Sequence, residues 1–235
     1  MFVFFIYPVS IEDYKDAKQD DNSCNDIDHN RFSYVAKNLY LKLLNNTTFR
    51  LVKILTGSAM NVVIETERLL LRTFTEEDAA LIYDLNLDPD VIRYTGDPIR
   101  DTGHALEVLQ QTILPQYALY NHGRWAVHIK SGLDPIAIGF IGWCGLKSRP
   151  ERNEIDLGYR FLKNAWGKGY ATESAYACIK YGFEKLGLRR IVGRAMPENL
   201  GSLRVLEKCG MTFIGDEVVD GHPAKTYEIL NPSIP

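Results

Sequence analysis

A chain of 235 residues with a formal charge of -3 and 24% charged residues has the composition of a globular protein able to bury a substantial core. The near-neutral balance gives no broad electrostatic reason to bind nucleic acid, so any anion site is local. Cys24, Cys144, Cys178 and Cys209 form no Cys-x-x-Cys pair and have no histidine at metal spacing, which argues against a metal or a disulfide framework and for reduced thiols in a cytoplasmic protein.

The opening MFVFFIY is apolar but too short to span a bilayer, and it lacks a basic flank and a cleavage site, so neither a membrane anchor nor a signal peptide is expected. Asp and Asn crowd residues 11 to 28, and basic residues are mixed with apolar ones over 31 to 53. Residues 1–59 are read as an extension, and its stretch 30 to 55 as a weakly ordered appendage or an amphipathic interaction helix. A self-contained domain is expected over 60–235. It opens with one strand, VVIETERLLLR, and a helix start at Thr75-Glu-Glu-Asp78, where Thr75 can cap Asp78.

Apolar spacing then predicts helices over 76–86 and 102–119 and strands over 124–130, 136–145 and 154–162. The clearest helix covers 171–186, with Ala171, Ala175, Cys178, Ile179, Gly182, Phe183 and Leu186 on one face and Gly187 as its stop. A strand at 190–195, a helix at 199–208 and strands at 211–218 and 225–230 complete an α/β order. Trp125, Trp143 and His128 fall on strands and read as packing or surface residues.

The run from Leu157 to Glu173 is a strand, a glycine-rich turn and a helix start in succession. Gly167 and Gly169 permit a tight turn in which backbone N–H groups converge at the positive end of a helix, a geometry that suits a pyrophosphate. A nucleotide P-loop is excluded, because Leu162 stands where its first glycine belongs and Gly169 follows Lys168. The dinucleotide fingerprint fails on spacing.

Three segments carry a resemblance. Trp166-Gly-Lys-Gly-Tyr-Ala-Thr-Glu173 is similar to the cofactor motif Gln/Arg-x-x-Gly-x-Gly/Ala of the GNAT N-acetyltransferase superfamily, with Trp166 in the first position. That departure, together with Asn199-Leu-Gly-Ser-Leu-Arg-Val-Leu-Glu-Lys-Cys-Gly-Met211, resembles the branch of ribosomal-protein alanine N-acetyltransferases. Gly139-Phe-Ile-Gly-Trp-Cys-Gly145 is similar to the third strand of the family. The resemblance covers about residues 65–230.

It implies a mixed, mostly antiparallel twisted sheet, splayed between the fourth and fifth strands and flanked by helices, with acetyl-CoA as cosubstrate. It further implies that backbone groups of Tyr159 and Phe161 pair with the pantetheine arm and that amides from Gly167 through Lys168, Gly169, Tyr170, Ala171 and Thr172 hold the pyrophosphate. Trp166 belongs to the same turn. Lys163, Lys168 and Arg204 are candidate phosphate partners, and Asn199 is expected to bond the pantetheine or hold the splay open.

Acyl transfer from a thioester needs a neutral amine, and a model α-amino group titrates near pH 8, so a base is useful. Asp156 and Glu154 lie on one face of a strand beside the expected thioester; Asp156 is the preferred base, and cross-strand ion pairing is the competing role for both. Ser202 matches the family position that protonates the departing thiolate, with helix capping as its competing role and Tyr159 and Tyr227 as weaker substitutes. The cysteines read as buried apolar residues, so direct transfer without an acyl-enzyme is expected. The expected acceptor is a primary amine, with a protein N-terminus as the leading reading suggested by the resemblance and a small molecule as the alternative. Asp84, Asp88, Asp90, Asp97 and Asp101 would suit a cationic one. A non-catalytic acetyl-CoA sensor is a further alternative, and the oligomeric state is monomer or homodimer.

Overall fold

The structure, a computed structural model, describes residues 61–130 and 139–234. The extension expected over 1–59, with its stretch 30 to 55, lies outside the described residues, as do Cys24 and residues 136–138 of an expected strand. An eight-stranded sheet runs in the order β1-β2-β3-β4-β5-β6-β8-β7. Its strands are β1 Val62–Glu65, β2 Leu69–Arg72, β3 Arg124–Ile129, β4 Phe140–Arg149, β5 Glu154–Phe161, β6 Arg190–Ala195, β7 Thr212–Val219 and β8 His222–Leu230. The helices are α1 Ala79–Leu85, α2 Pro89–Ile92, α3 Thr102–Val108, α4 Leu114–Tyr120, α5 Tyr170–Glu184 and α6 Leu200–Lys208.

The single strand expected from VVIETERLLLR is a hairpin. Thr66 breaks it: its amide donates to the Leu69 carbonyl at 2.9 Å, and its Oγ1 accepts from the Leu69 amide at 2.9 Å, so β1 folds back on β2. A 3-10 turn, Glu76–Asp78, leads into α1 through a capping box in which the Asp78 carboxylate accepts the Thr75 amide at 2.8 Å. The helix expected over 102–119 is present, but α3 and α4 are joined by a π-helical turn, Leu109–Ile113, that the apolar spacing does not reveal.

The strand expected to stop at Gly145 continues to Arg149. Gly145 is there because the backbone of the preceding strand comes close: an added Cβ would sit 2.1 Å from the Gly123 carbonyl oxygen. The glycine that reads as a breaker is a close-approach position inside the strand.

All neighbouring strands are antiparallel except β5 and β6, which are parallel and register only at Asp156–Val192 and Leu157–Gly193. Beyond Leu157 the pairing ends, which is the splay expected between the fourth and fifth strands of the sequence reading. One face of the sheet, with Leu71, Trp125, Val127, Cys144, Leu146 and Ile191, packs in the core with α5, whose Ala175, Cys178, Ile179 and Gly182 are buried as its apolar stripe requires. Trp125 meets Tyr181 of α5 edge to face at 5.4 Å, a packing role. The other face carries Arg72, Arg124, Arg160, Asp156 and Arg194, all nearly inaccessible. Among the described residues no helix is long and apolar enough to cross a membrane, and no cluster of His, Cys, Asp and Glu is placed to hold a metal ion.

Candidate active site

The antiparallel ladder decides which peptide groups of β5 are available. Leu162 donates to the Ile141 carbonyl at 2.9 Å, and Phe161 and Tyr159 lie opposite Gly142 and Cys144. Hydrogen-bonding pairs alternate along such a ladder, so the peptide groups of Tyr159 and Phe161 turn away from β4, toward the side where β6 has departed. The Phe161 carbonyl is taken by the Trp166 indole N–H at 2.8 Å. Trp166, standing at the first motif position, therefore fastens the turn to the end of β5 with its ring exposed.

The turn itself has Gly167 at φ 74° and Gly169 at φ 82°, both in the left-handed region that a Cβ disfavours. Gly169 is the N-cap of α5 and supplies no side-chain cap, and the first helical bond runs from Glu173 N–H to the Gly169 carbonyl at 3.0 Å. The amides of Tyr170, Ala171 and Thr172 are consequently without helical acceptors at the positive end of a fifteen-residue helix. A Cβ at Gly167 would meet nothing within 4 Å, so the turn opens on free space. This donor set fits a pyrophosphate. Lys168, within the turn, and Arg204 of α6 are exposed, and Lys163 forms an exposed ion pair with Asp90.

The sequence reading missed what braces the turn. Glu173 accepts the Thr66 hydroxyl at 2.6 Å, the Arg68 amide at 3.1 Å and the Arg68 Nε at 2.7 Å. Arg68 also donates to the Lys168 carbonyl at 3.1 Å and lies over the Tyr170 ring at 4.7 Å. The β1–β2 turn thus clamps the motif through the one acidic residue in the first turn of α5. The signal was present in Thr66-Glu-Arg68, but it points 100 residues downstream and no local rule finds it.

Alternation along β5 puts Glu154, Asp156, Gly158 and Arg160 on the polar face. Arg194 of β6 reaches Glu154 at 2.7 Å, Asp156 at 3.5 Å and Glu217 at 2.6 Å. Glu154 is further held by Arg152 at 3.2 Å and Arg190 at 3.6 Å, so it has the cross-strand ion-pair role that competed with catalysis in the sequence reading. Asp156 is only 3% exposed, and its one direct ion pair among the described residues is the long contact to Arg194. Burial pushes its carboxyl above the ordinary carboxylate range, against the pull of Arg194, Arg149, Arg124 and Lys147. Opposite it on β4, Lys147 is pushed down to about 8 by burial and by Arg124.

Asn199 caps α6, its Oδ1 accepting the Ser202 amide at 3.1 Å, and Tyr159 donates its hydroxyl to the Ser202 carbonyl at 3.0 Å. The backbone of Ser202 is therefore pinned from both sides. Tyr159 and Tyr227 commit their hydroxyls, the latter to Glu207 at 3.1 Å, whereas the Ser202 Oγ has no hydrogen-bond partner among the described residues. Cys144, Cys178 and Cys209 are buried, and burial pushes the Cys209 thiol up to about 12 and Cys178 well above its usual value, which disfavours the nucleophilic thiolate.

A cavity of about 390 Å³ opens on the polar face, with Arg124, Trp143 and Arg160 from the sheet and Asn86, Asp97 and His104 from the helical side. Four of the five acidic residues read as suited to a cationic acceptor already have partners. Asp88 and Asp101 cap α2 and α3, accepting from Asp90 at 2.9 Å and His104 at 2.7 Å; Asp90 pairs with Lys163, and Asp97 with Arg160 at 2.7 Å.

Residues 68–212 match the family described as Acetyltransferase (GNAT) domain, and the chain belongs to that family. It is an acetyl-CoA-dependent N-acetyltransferase. Among its relatives, an uncharacterized N-acetyltransferase, p20, of Bacillus licheniformis is 33% identical over 60% of this chain and 77% of its own length. YkkB of Bacillus subtilis, uncharacterized, is 30% identical over 63% and 84%. A GNAT-family acetyltransferase structure from Bacillus anthracis superposes with TM-score 0.59 at 26% identity over 72% of this chain and 98% of that one. A ribosomal-protein alanine acetyltransferase of Vibrio fischeri, TM-score 0.59, covers 74% of this chain and 98% of its own, but its 20% identity shows the fold alone.

Proposed function

We propose that this acetyltransferase acylates a small primary amine taken up in the 390 Å³ cavity, by direct attack, with Asp156 as base and Ser202 as hydrogen-bond donor to the leaving sulfur. One observation carries the reading. The β5–β6 pairing stops at Asp156 and Leu157, so a buried carboxylate with a single long ion pair stands at the mouth of the splay, on the face that also lines the cavity. A cavity of this size suits a small ligand. The ribosomal-protein resemblance of the motifs leaves a protein N-terminus as the second acceptor class, to be tested beside it.

In this reading the peptide N–H groups of Tyr159 and Phe161 hold the pantetheine arm, the amides from Gly167 to Thr172 hold the pyrophosphate, and Lys163, Lys168 and Arg204 surround the phosphates. Acetyl-CoA supplies an activated acyl carbon. Asp156, directly or through one water, takes the proton of the ammonium; the freed amine forms the C–N bond, and the C–S bond breaks. Ser202 Oγ donates a hydrogen bond to the sulfur, which ends as the thiol after taking a proton shed by the amine.

The test is thiol release from acetyl-CoA with a panel of small amines and N-terminal peptides, using the wild type, Asp156→Asn and Ser202→Ala. Turnover of small amines that falls about 10²–10⁴-fold in Asp156→Asn, with acetyl-CoA binding retained, supports the proposal. Unchanged turnover in that variant, or turnover of peptides alone, overturns it.

A further inference from the structure

Arg124 is the first residue of β3, and its carbonyl accepts the Tyr117 hydroxyl, which fixes where the side chain starts. Its guanidinium stacks 4.5 Å from the centroid of the Trp143 ring, and its Nε and Nη2 are buried with no hydrogen-bond partner among the described residues. The same group lines the cavity. Its neighbours do not neutralise it. Asp97, the one acid lining the cavity, is spent on Arg160, which also donates to Asn86 and Thr95. Asp156 and, more weakly, Asp97 act on Arg124 electrostatically without a hydrogen bond, while Arg160 and Arg149 oppose its charge. Arg100 and His104 add no acid, the His104 Nδ1 accepting the Arg100 amide at 3.2 Å.

A buried, unpaired guanidinium is costly, and a ligand that pairs with it recovers that cost on binding. Its planar fork matches a carboxylate or phosphate held by two parallel hydrogen bonds, and the Trp143 ring fixes the plane of the fork. Across the sheet Arg124 stands opposite Gly145, and Gly145 opposite Gly158, two residues from Asp156. Gly158 leaves room for the Trp143 ring, 3.3 Å from where its Cβ would be, so the ring that carries the guanidinium is seated against β5 two residues from Asp156, and Asp156 is near enough to act on the Arg124 charge. Resting on the reading that an amine occupies this cavity, we infer that the acceptor carries an oxyanion, a carboxylate or phosphate, received by the Arg124 guanidinium while its amine faces Asp156.

The experiment compares matched acceptors: an amino acid, its amide and its decarboxylated amine, and an aminoalkyl phosphate against the parent amino alcohol. Each is assayed for thiol release and for thermal shift with the full chain, its Arg124→Met variant and the more conservative Arg124→Lys. The wild type should prefer the oxyanion members by at least about tenfold in kcat/KM, because a site built for a polar group rejects the analogue lacking it. The amino acid and phosphate arms show which oxyanion is preferred. Arg124→Met should bring that ratio toward one with the KM for acetyl-CoA retained, and Arg124→Lys should fall between. Should the methionine variant fail to fold, a reduced ratio in Arg124→Lys carries the test. Preference for the neutral or decarboxylated members, or a preference that survives in both variants, overturns the inference. Failure of the transfer reading looks different: no thiol release from any acceptor, yet an Arg124-dependent thermal shift with oxyanion amines. Absence of both signals overturns both.

Discussion

The turn proposed to hold the cofactor and the cavity proposed to take the acceptor share strand β5 but are built from different materials. The turn uses backbone: two left-handed glycines, the uncapped first amides of α5, and peptide groups of Tyr159 and Phe161 left over by the β5 ladder. The cavity uses side chains brought from scattered segments, Asn86, Asp97, His104, Arg124, Trp143 and Arg160, with burial tuning their charge. A backbone site tolerates most side-chain changes around it and is sensitive at its glycines. A side-chain site is set by each pairing and can be redirected one residue at a time. The cavity side should therefore control which amine reacts and how fast, and the turn should control how tightly acetyl-CoA is held.

The sharpest division should come from Asp156→Asn. Loss of the base should lower kcat by about 10²–10⁴-fold while the acetyl-CoA dissociation constant, measured by titration calorimetry, stays within about twofold. The pH profile adds a sign. If Asp156 is the base it works as the carboxylate, and since burial raises its pKa the wild-type rate should fall as pH drops through a value above the ordinary carboxylate range, a limb that the variant should lack. A wild-type profile whose acidic limb persists in the variant would place the base elsewhere.

The opposite division should come from Gly169→Ala. At φ 82° an alanine costs about 1–2 kcal/mol, and its Cβ would sit 3.4 Å from Arg68 Nη2, so acetyl-CoA binding should weaken by roughly tenfold. The acceptor KM should stay put. An acceptor KM that moved instead would mean that the two regions are mechanically coupled through β5.

The same contrast explains what could be read in advance. The order of elements and the glycine turn were legible because each is written within a few consecutive residues, Gly167 and Gly169 being two apart and the stripe of α5 repeating locally, whereas the splay was expected only from the family resemblance of the motifs. The continuation of β4 through Gly145 and the π turn at Leu109–Ile113 were not legible, since the first depends on the close approach of Gly123 and the second on a shift in helical hydrogen bonding; the hairpin at Thr66, though its bonds are local, interrupts a run that reads as one strand. Nor was the state of the carboxylates. Glu154 and Asp156 are indistinguishable by alternation, and only the positions of Arg190, Arg152 and Arg194 show that one is tied up and the other nearly spare. Asp88, Asp90, Asp97 and Asp101, thought to attract a cationic amine, had uses as helix caps or ion-pair partners, which composition does not reveal.

Glu154→Gln tests that distinction with a smaller effect. If Glu154 only organises the arginines, kcat should change by less than about threefold, the size of a repositioning rather than the loss of a base. The melting temperature should drop, by about 2–4 °C for each kcal/mol lost in a domain of this size. A loss of rate near that of Asp156→Asn with an unaltered melting temperature would reverse the two roles.

The smallest effect concerns acid stability, and its sign separates the ion-pair cluster from the buried base. Burial opposes ionisation of Glu217, but hydrogen bonds from Thr226, Arg194 and Arg152 outweigh it and draw the carboxyl from 4.5 down to about 2. A carboxyl depressed on folding contributes stability that is present above its unfolded value and is lost as pH falls through the folded one, so this contribution should fade between 4.5 and about 2. Asp156 runs the other way: raised by burial, it binds its proton more readily folded than unfolded, so protonating it on the way down favours the folded state. Melting curves from neutral pH to about 3 should therefore show a shallower acid limb in Glu217→Gln than in wild type, and Asp156→Asn should be the more stable protein at neutral pH. A destabilised Asp156→Asn would mean that the carboxylate is needed to hold Arg194, Arg149 and Arg124 in place, which would make its contribution structural before it is chemical.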